Sequence, residues 1–186
     1  PIMLDIIHVE APDCYRCKYG KNCATCQAEC FEDAEKSFEQ YGDETCAFMI
    51  EPIVQGVSGM KIYSPVYLQK LRKACDKYNV HFIADEIAVG YGRTGKMFAC
   101  NHAGISPDIM CLSKGLTGGY LPTALAVTTQ KIYDAFYSDY QEKRLCTATP
   151  IAEILWHVRQ PLKSSTFWKR NLFYKMPTKM LLISQI

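Results

Sequence analysis

The chain reads as an α/β domain with a largely parallel sheet and helices on both faces. Three observations predict this. Short apolar runs at residues 46–50, 80–84 and 109–112 each stop at polar residues. A segment of helical periodicity lies between the first two. Strands alternating with helices build parallel sheets, because the crossover lays a helix on the sheet. Taken in order, residues 30–41 place Phe, Glu, Asp and Lys at helical spacing and predict an amphipathic helix. The run 46–50 follows and ends at Glu51-Pro52, since proline cannot donate to a sheet ladder. Residues 56–59 form a loop. Ser64-Pro65 starts the next helix, with serine as cap and proline at the first helical position; Tyr67, Leu68, Leu71, Ala74 and Cys75 form its apolar stripe, and Asn79 closes it. Strands at 80–84, 109–112 and 124–128 and a helix from 130 to about 137 complete the pattern.

With 186 residues, 48% of them hydrophobic, the chain can bury a real core, which excludes a solvated disordered segment. A net charge of +2 argues against a nucleic-acid surface, which needs a local excess of Lys and Arg. There is no signal-peptide pattern and no apolar run of membrane-spanning length, so the expectation is a cytoplasmic protein without a membrane partner. The chain opens on Pro1 rather than Met, so a fragment is expected.

Of ten cysteines, five form Cys14-x2-Cys17-x5-Cys23-x2-Cys26-x3-Cys30. Paired Cys-x2-Cys units suggest zinc, and a cysteine-rich metal-binding or interaction module is the reading from a different class. The gap between the pairs is shorter than in zinc ribbons, however. Free loop thiols are therefore the leading expectation, with no metal site assigned and a disulfide ranked last in a reducing compartment. Cys100 and Cys111 sit in apolar surroundings and are expected as small core residues.

In open α/β sheets, sites form beyond the carboxyl ends of strands, and Glu51, Asp85 and Lys114 each follow such an end. A lysine that can attack an aldehyde and a carboxylate that can hold a pyridine nitrogen protonated are what pyridoxal phosphate chemistry needs. Lys114 suits the first role and Asp85 the second. Ile87 falls on the Asp85 side if the extended backbone continues, where it could pack on a flat ring. From spacing alone the alternatives stay open: Lys114 as a solvated loop lysine, Asp85 as a helix cap, Ile87 as a core residue and Glu51 as a surface carboxylate. Arg93 and Lys96 lie in Gly-Tyr-Gly-Arg-Thr-Gly-Lys, which does not match a nucleotide-binding loop.

Three strings carry a resemblance: Phe-Met-Ile-Glu-Pro-Ile-Val-Gln-Gly at 48–56, Ile-Ala-Asp-Glu-Ile-Ala-Val-Gly-Tyr-Gly-Arg-Thr-Gly-Lys-Met-Phe-Ala-Cys at 83–100, and Pro-Asp-Ile-Met-Cys-Leu-Ser-Lys-Gly-Leu-Thr-Gly-Gly-Tyr-Leu-Pro at 107–122. They resemble the class III, fold-type-I aminotransferases that use pyridoxal phosphate, over most of residues 10–144. Phe-Ala-Cys, Cys-Leu-Ser-Lys-Gly-Leu-Thr and Cys-Tyr-Arg-Cys favour the branch serving biotin biosynthesis over ornithine or γ-aminobutyrate members. Another ω-amino-acid transaminase is the runner-up.

The resemblance implies that Lys114 is the Schiff-base lysine, Asp85 the partner of the pyridine nitrogen, Ile87 a ring contact and Glu51 a carboxylate near Asp85. It also implies a homodimer, acting on a keto-amino acid with adenosylmethionine or lysine as amino donor. Val89 stands where the family commonly has threonine.

The resemblance stops after Arg144, which divides the chain into a partial cofactor-binding large domain, 1–144, and a tail, 145–186. Taking the third base of each codon as the first of the next, residues 145–160 can encode F-M-H-G-H-T-Y-S-G-N-P-L-A-C-A-A, in the family's order. Trp156-His157 compels its alanine, and Cys146-Thr147 allows only His or Tyr. The same frame through Trp168 permits A-I-K-I-F-D-L-L-E, a credible amphipathic helix. The expectation is an out-of-frame tail without native structure, and a chain that folds poorly alone with little transaminase activity. By the resemblance, the missing parts bind the cofactor phosphate and the substrate carboxylate.

Overall fold

The computed structural model describes residues 5–137 and the backbone of 180–183. The tail expected at 145–186 therefore lies outside the described residues, apart from that last short strand. The element order is α1 (Glu32–Tyr41), β1 (Ala47–Ile50), β2 (Val54–Gln55), β3 (Lys61–Ile62), α2 (Pro65–Tyr78), β4 (His81–Asp85), β5 (Ile109–Leu112), β6 (Leu125–Thr129), α3 (Gln130–Phe136) and β7 (Met180–Ile183).

Five strands form the main sheet in the order β1-β4-β5-β6-β7. The frame β1-β4-β5 is parallel, as α2 between β1 and β4 requires. β6 joins antiparallel, with Leu112 opposite Leu125. The connection from β5 to β6 holds only a single-turn 3-10 helix, Lys114–Leu116, rather than a crossover helix, so the chain returns beside β5 in the opposite sense. β7 pairs antiparallel with β6. A two-stranded hairpin, β2-β3, stands apart from the main sheet.

α2 forms where its caps dictate. Ser64 Oγ accepts the Val66 N–H at 3.3 Å, Pro65 occupies the first turn, and Asn79 ends the helix in the left-handed conformation at φ 54°. Its stripe of Tyr67, Leu68, Leu71 and Cys75 is buried against Phe82 and Ala84 of β4. α1 packs beside it through Phe38, which stacks on both Phe48 and Tyr78. Met110, Leu112 and Val127 continue the apolar layer with Phe98. Alternation along the strands turns Met49, Ile83, Asp85, Ile109 and Cys111 to the opposite face, which is only partly covered: Met49 is 57% exposed. No helix among the described residues is long and apolar enough to cross a membrane.

The cysteine segment corrects one expectation. Cys14 and Cys23, expected as free thiols, form a disulfide with Cα atoms 5.6 Å apart, a spacing the bond requires. The fold brings the two Cys-x2-Cys pairs together by folding residues 17–20 into a turn and docking the Cys14 N–H on the Ile62 carbonyl at 2.8 Å. Among the described residues, no group of three or more His, Cys, Asp or Glu is arranged to hold a metal ion.

Candidate active site

Because β1, β4 and β5 are neighbours and run parallel, their carboxyl ends open on one edge of the sheet. Glu51 follows β1, Asp85 ends β4 and Lys114 comes two residues after β5. Asp85 pairs in register with Cys111, three residues before Lys114.

Asp85 is half-buried, and its Oδ1 accepts the Ile87 N–H at 3.0 Å. Its Oδ2 has no hydrogen-bond partner among the described residues. The strand stops at Asp85 and residues 87–90 form a turn, so the alternation that put Ile87 on the Asp85 side does not apply. Ile87 stays beside Asp85 through its own N–H instead.

Glu51 is not a free surface carboxylate. Its Oε2 accepts the Gly56 N–H at 2.9 Å, and its carbonyl accepts the Tyr63 hydroxyl at 2.7 Å, deep in the core. A Cβ placed on Gly56 would lie 3.4 Å from Glu51 Oε2 and 4.0 Å from Ala88 Cβ, which puts the Glu51 loop directly against the turn after Asp85.

Lys114 is exposed and adopts φ 34°, on the left-handed side where a lysine is uncommon. Gly115 lets this loop close on its neighbour: a Cβ there would come within 2.8 Å of Tyr91 Cβ. Burial pushes the Tyr91 phenol up to about 12, so it stays protonated beside the lysine loop at neutral pH. Ser113 Oγ donates to the Thr123 carbonyl at 2.7 Å and fixes the residue before Lys114.

The residue that sequence reasoning missed is Glu86. It is wholly buried, and its two oxygens accept the N–H groups of Ala99 and Cys100, each at 2.8 Å. Its own N–H donates to the Cys111 carbonyl at 3.0 Å, tying β4 to β5 beyond the last paired residue. Glu86 thus anchors the long loop 86–103 while Asp85 is left facing outward. The adjacent Asp85-Glu86 pair was a visible signal, since successive strand residues face opposite sides; which of the two goes inward was not.

Burial raises the Glu86 carboxyl above its ordinary 4.5, while the two backbone donors partly offset this. A carboxyl raised in the folded state contributes stability that is full below its unfolded value and lost as pH rises through the folded one. As pH falls through the raised folded value toward 4.5, therefore, Glu86 contributes more stability. Glu86→Gln is expected to remove that slope, so the difference in urea midpoint between variant and wild type should change over this window. Parallel pH curves for the two proteins would show that Glu86 does not titrate there.

Residues 1–149 match the family model for class-III aminotransferases, and the chain belongs to that family. Among curated relatives, it is 46% identical over 145 residues to adenosylmethionine-8-amino-7-oxononanoate aminotransferase of Geobacter sulfurreducens, covering 77% of this chain and 32% of the relative. It is 45% identical over 138 residues to the enzyme of the same name from Staphylococcus aureus, covering 74% and 30%.

The fold superimposes on the crystal structure of the Methanocaldococcus jannaschii enzyme of that name with a TM-score of 0.70 at 35% identity, covering 77% of this chain and 34% of that one. An (S)-enantioselective ω-transaminase from Thermomicrobium roseum gives 0.74 at 29% identity, covering 91% and 38%. The chain spans about a third of the length of the curated relatives it matches.

Proposed function

We propose that these residues are part of a pyridoxal-phosphate-dependent aminotransferase that converts 8-amino-7-oxononanoate to 7,8-diaminononanoate in biotin biosynthesis, as a cytoplasmic homodimer. The observation that carries the cofactor assignment is the shared edge of β1, β4 and β5, where an exposed lysine and a carboxylate with one free oxygen follow adjacent strands. The donor set fits the group, since it supplies one amine for an aldehyde carbon and one anion for a ring nitrogen. When bound, the protonated pyridine ring supplies an electron sink.

Within this reading, Lys114 would hold the group through Nζ, and the same nitrogen, when free, would take up and return a proton. Asp85 Oδ2 would face the ring nitrogen while Oδ1 stays on the Ile87 N–H, so the turn holds the carboxylate still. Glu51 presses on the residues after Asp85 through Gly56 and keeps that turn in place, and Ile87 supplies an apolar contact to the ring. The choice of substrate rests on the names of the relatives at 46% and 45% identity.

The frame break after Arg144 belongs to the same proposal. It is supported by the family match ending at residue 149 and by the family-like string hidden in the next frame. The test has two parts. The DNA around codon 145 should spell the alternative string once one base is restored, and incompatible codons would refute the break. The whole enzyme, loaded with cofactor and given 8-amino-7-oxononanoate with adenosylmethionine or lysine, should yield 7,8-diaminononanoate, whereas the 186-residue chain should yield little or none. Turnover of ω-amino acids with pyruvate, and none of the oxononanoate, would move the assignment to the other branch.

A further inference from the structure

The five-cysteine segment plays no part in the strand-end site, yet it is built around a disulfide. One member of each Cys-x2-Cys pair, Cys14 and Cys23, is in the bond, and the other member of each, Cys17 and Cys26, is a free thiol. A cavity of about 10 Å³, room for a single water-sized atom, is lined by Cys14, Cys17, Cys26 and Cys30 but not by Cys23. Cys14 is therefore the member of the disulfide that shares this cavity with the free thiols.

Of the three thiols, Cys26 is the one prepared to attack. Its Sγ accepts the Ala28 N–H at 3.2 Å, a contact that favours sulfur carrying negative charge, and its S–H donates to Glu29 Oε2 at 3.8 Å, which fixes where the sulfur stands. Its backbone is held in place, because the Cys26 carbonyl accepts from Ser64 Oγ, the cap of α2, at 3.4 Å and the Ala28 carbonyl from Lys70 Nζ, within α2, at 3.2 Å. Cys26 is itself buried and Cys30 half-buried, so burial does not separate them; the Ala28 N–H on the Cys26 sulfur does. Cys17 is partly exposed and has no such donor among its hydrogen bonds.

We propose that this segment is a thiol–disulfide exchange site in which Cys26 attacks the Cys14 sulfur. Cys26 loses its proton to water, a Cys14–Cys26 bond forms, the Cys14–Cys23 bond breaks, and Cys23 leaves as a thiolate that takes a proton from water. One disulfide and the same number of thiols stand on each side, so no oxidant or reductant is consumed. The exchange trades a bond to the outer loop for one to the segment fixed on α2. Because the Cys14 N–H also holds the Ile62 carbonyl of the hairpin that follows Glu51, it links the disulfide pairing of the segment to that hairpin. None of this depends on the transamination reading.

The experiment maps disulfides in the whole enzyme held in oxidised glutathione, quenched in acid, alkylated and fragmented for mass spectrometry. In Cys23→Ser, Cys14 should pair chiefly with Cys26, and in Cys26→Ser the Cys14–Cys23 bond should remain with no exchange product. Cys14 left free in Cys23→Ser, or joined equally to Cys17, Cys26 and Cys30, overturns the proposal. The same variant mapped in urea provides the folding control: a pairing pattern unchanged by urea means that the fold does not direct the exchange, and also overturns it. Titration of the reduced wild-type chain with Zn²⁺ should leave Cys23 open to alkylation. One equivalent of zinc protecting four of the five thiols would replace exchange by a tetrathiolate metal site.

Discussion

Replacing Lys114 by alanine in the whole enzyme is expected to lower transamination by at least about 10⁴-fold, because in the proposed reading one nitrogen serves both the covalent attachment and the proton transfer. The loss should fall on kcat and kcat/KM together, since both functions serve the reacting bonds rather than general affinity. Stability should hardly change, because the side chain is exposed and buries nothing. Removing it leaves the backbone at φ 34°, which alanine tolerates no better than lysine. Steady-state kinetics beside a urea melt would separate the two effects. A variant that keeps its melt and its turnover would place the chemistry elsewhere.

Asp85→Asn is expected to cost on the order of 10²–10³-fold in kcat, a loss comparable to removing one strong electrostatic contact from a reacting centre. Asparagine has the same shape and can still accept the Ile87 N–H through its own oxygen, so the turn at 87–90 should survive. What disappears is the negative charge that the proposal sets opposite the ring nitrogen, and with it the stabilisation of a protonated ring. Circular dichroism should be unchanged while turnover falls. Glu51→Gln provides the contrast: it removes a charge next door but leaves an oxygen for Gly56 N–H, and its effect should be far smaller. An Asp85→Asn enzyme within about threefold of wild type would remove that carboxylate from the mechanism.

Local chemistry was the legible part of this fold. Ser64-Pro65 and Asn79 announced both ends of α2, and the cap bond and the left-handed closing residue are where those residue types predict them. The apolar runs marked β1, β4 and β5, and their polar ends marked the edge where Glu51, Asp85 and Lys114 gather. What stayed hidden depends on partners distant in sequence. Hairpin β2-β3 is two residues a side, and each strand is preceded by a residue of positive φ, Ile53 and Met60, types that give no turn signal.

The direction of β6 follows from the path of the loop 113–124 rather than from its own alternation. Pairing of Cys14 with Cys23 could not be chosen among the possible connectivities of five cysteines, because spacing does not encode it. Glu86 shows the same limit in the site itself. The sequence displays two adjacent acids, and only packing shows that one anchors a loop through Ala99 and Cys100 while the other remains available to a ligand.

Two strand ends lie side by side, one with an amine and the other with an anion, and the account holds that a single cofactor joins them. The direct measurement loads the protein with pyridoxal phosphate, fixes the covalent link with borohydride and locates the added mass by peptide sequencing. The predicted result is one pyridoxyl group on Lys114 in the wild type, lost in Lys114→Ala and reduced in occupancy in Asp85→Asn. Label on another lysine, or spread over several with no dependence on Asp85, would contradict it.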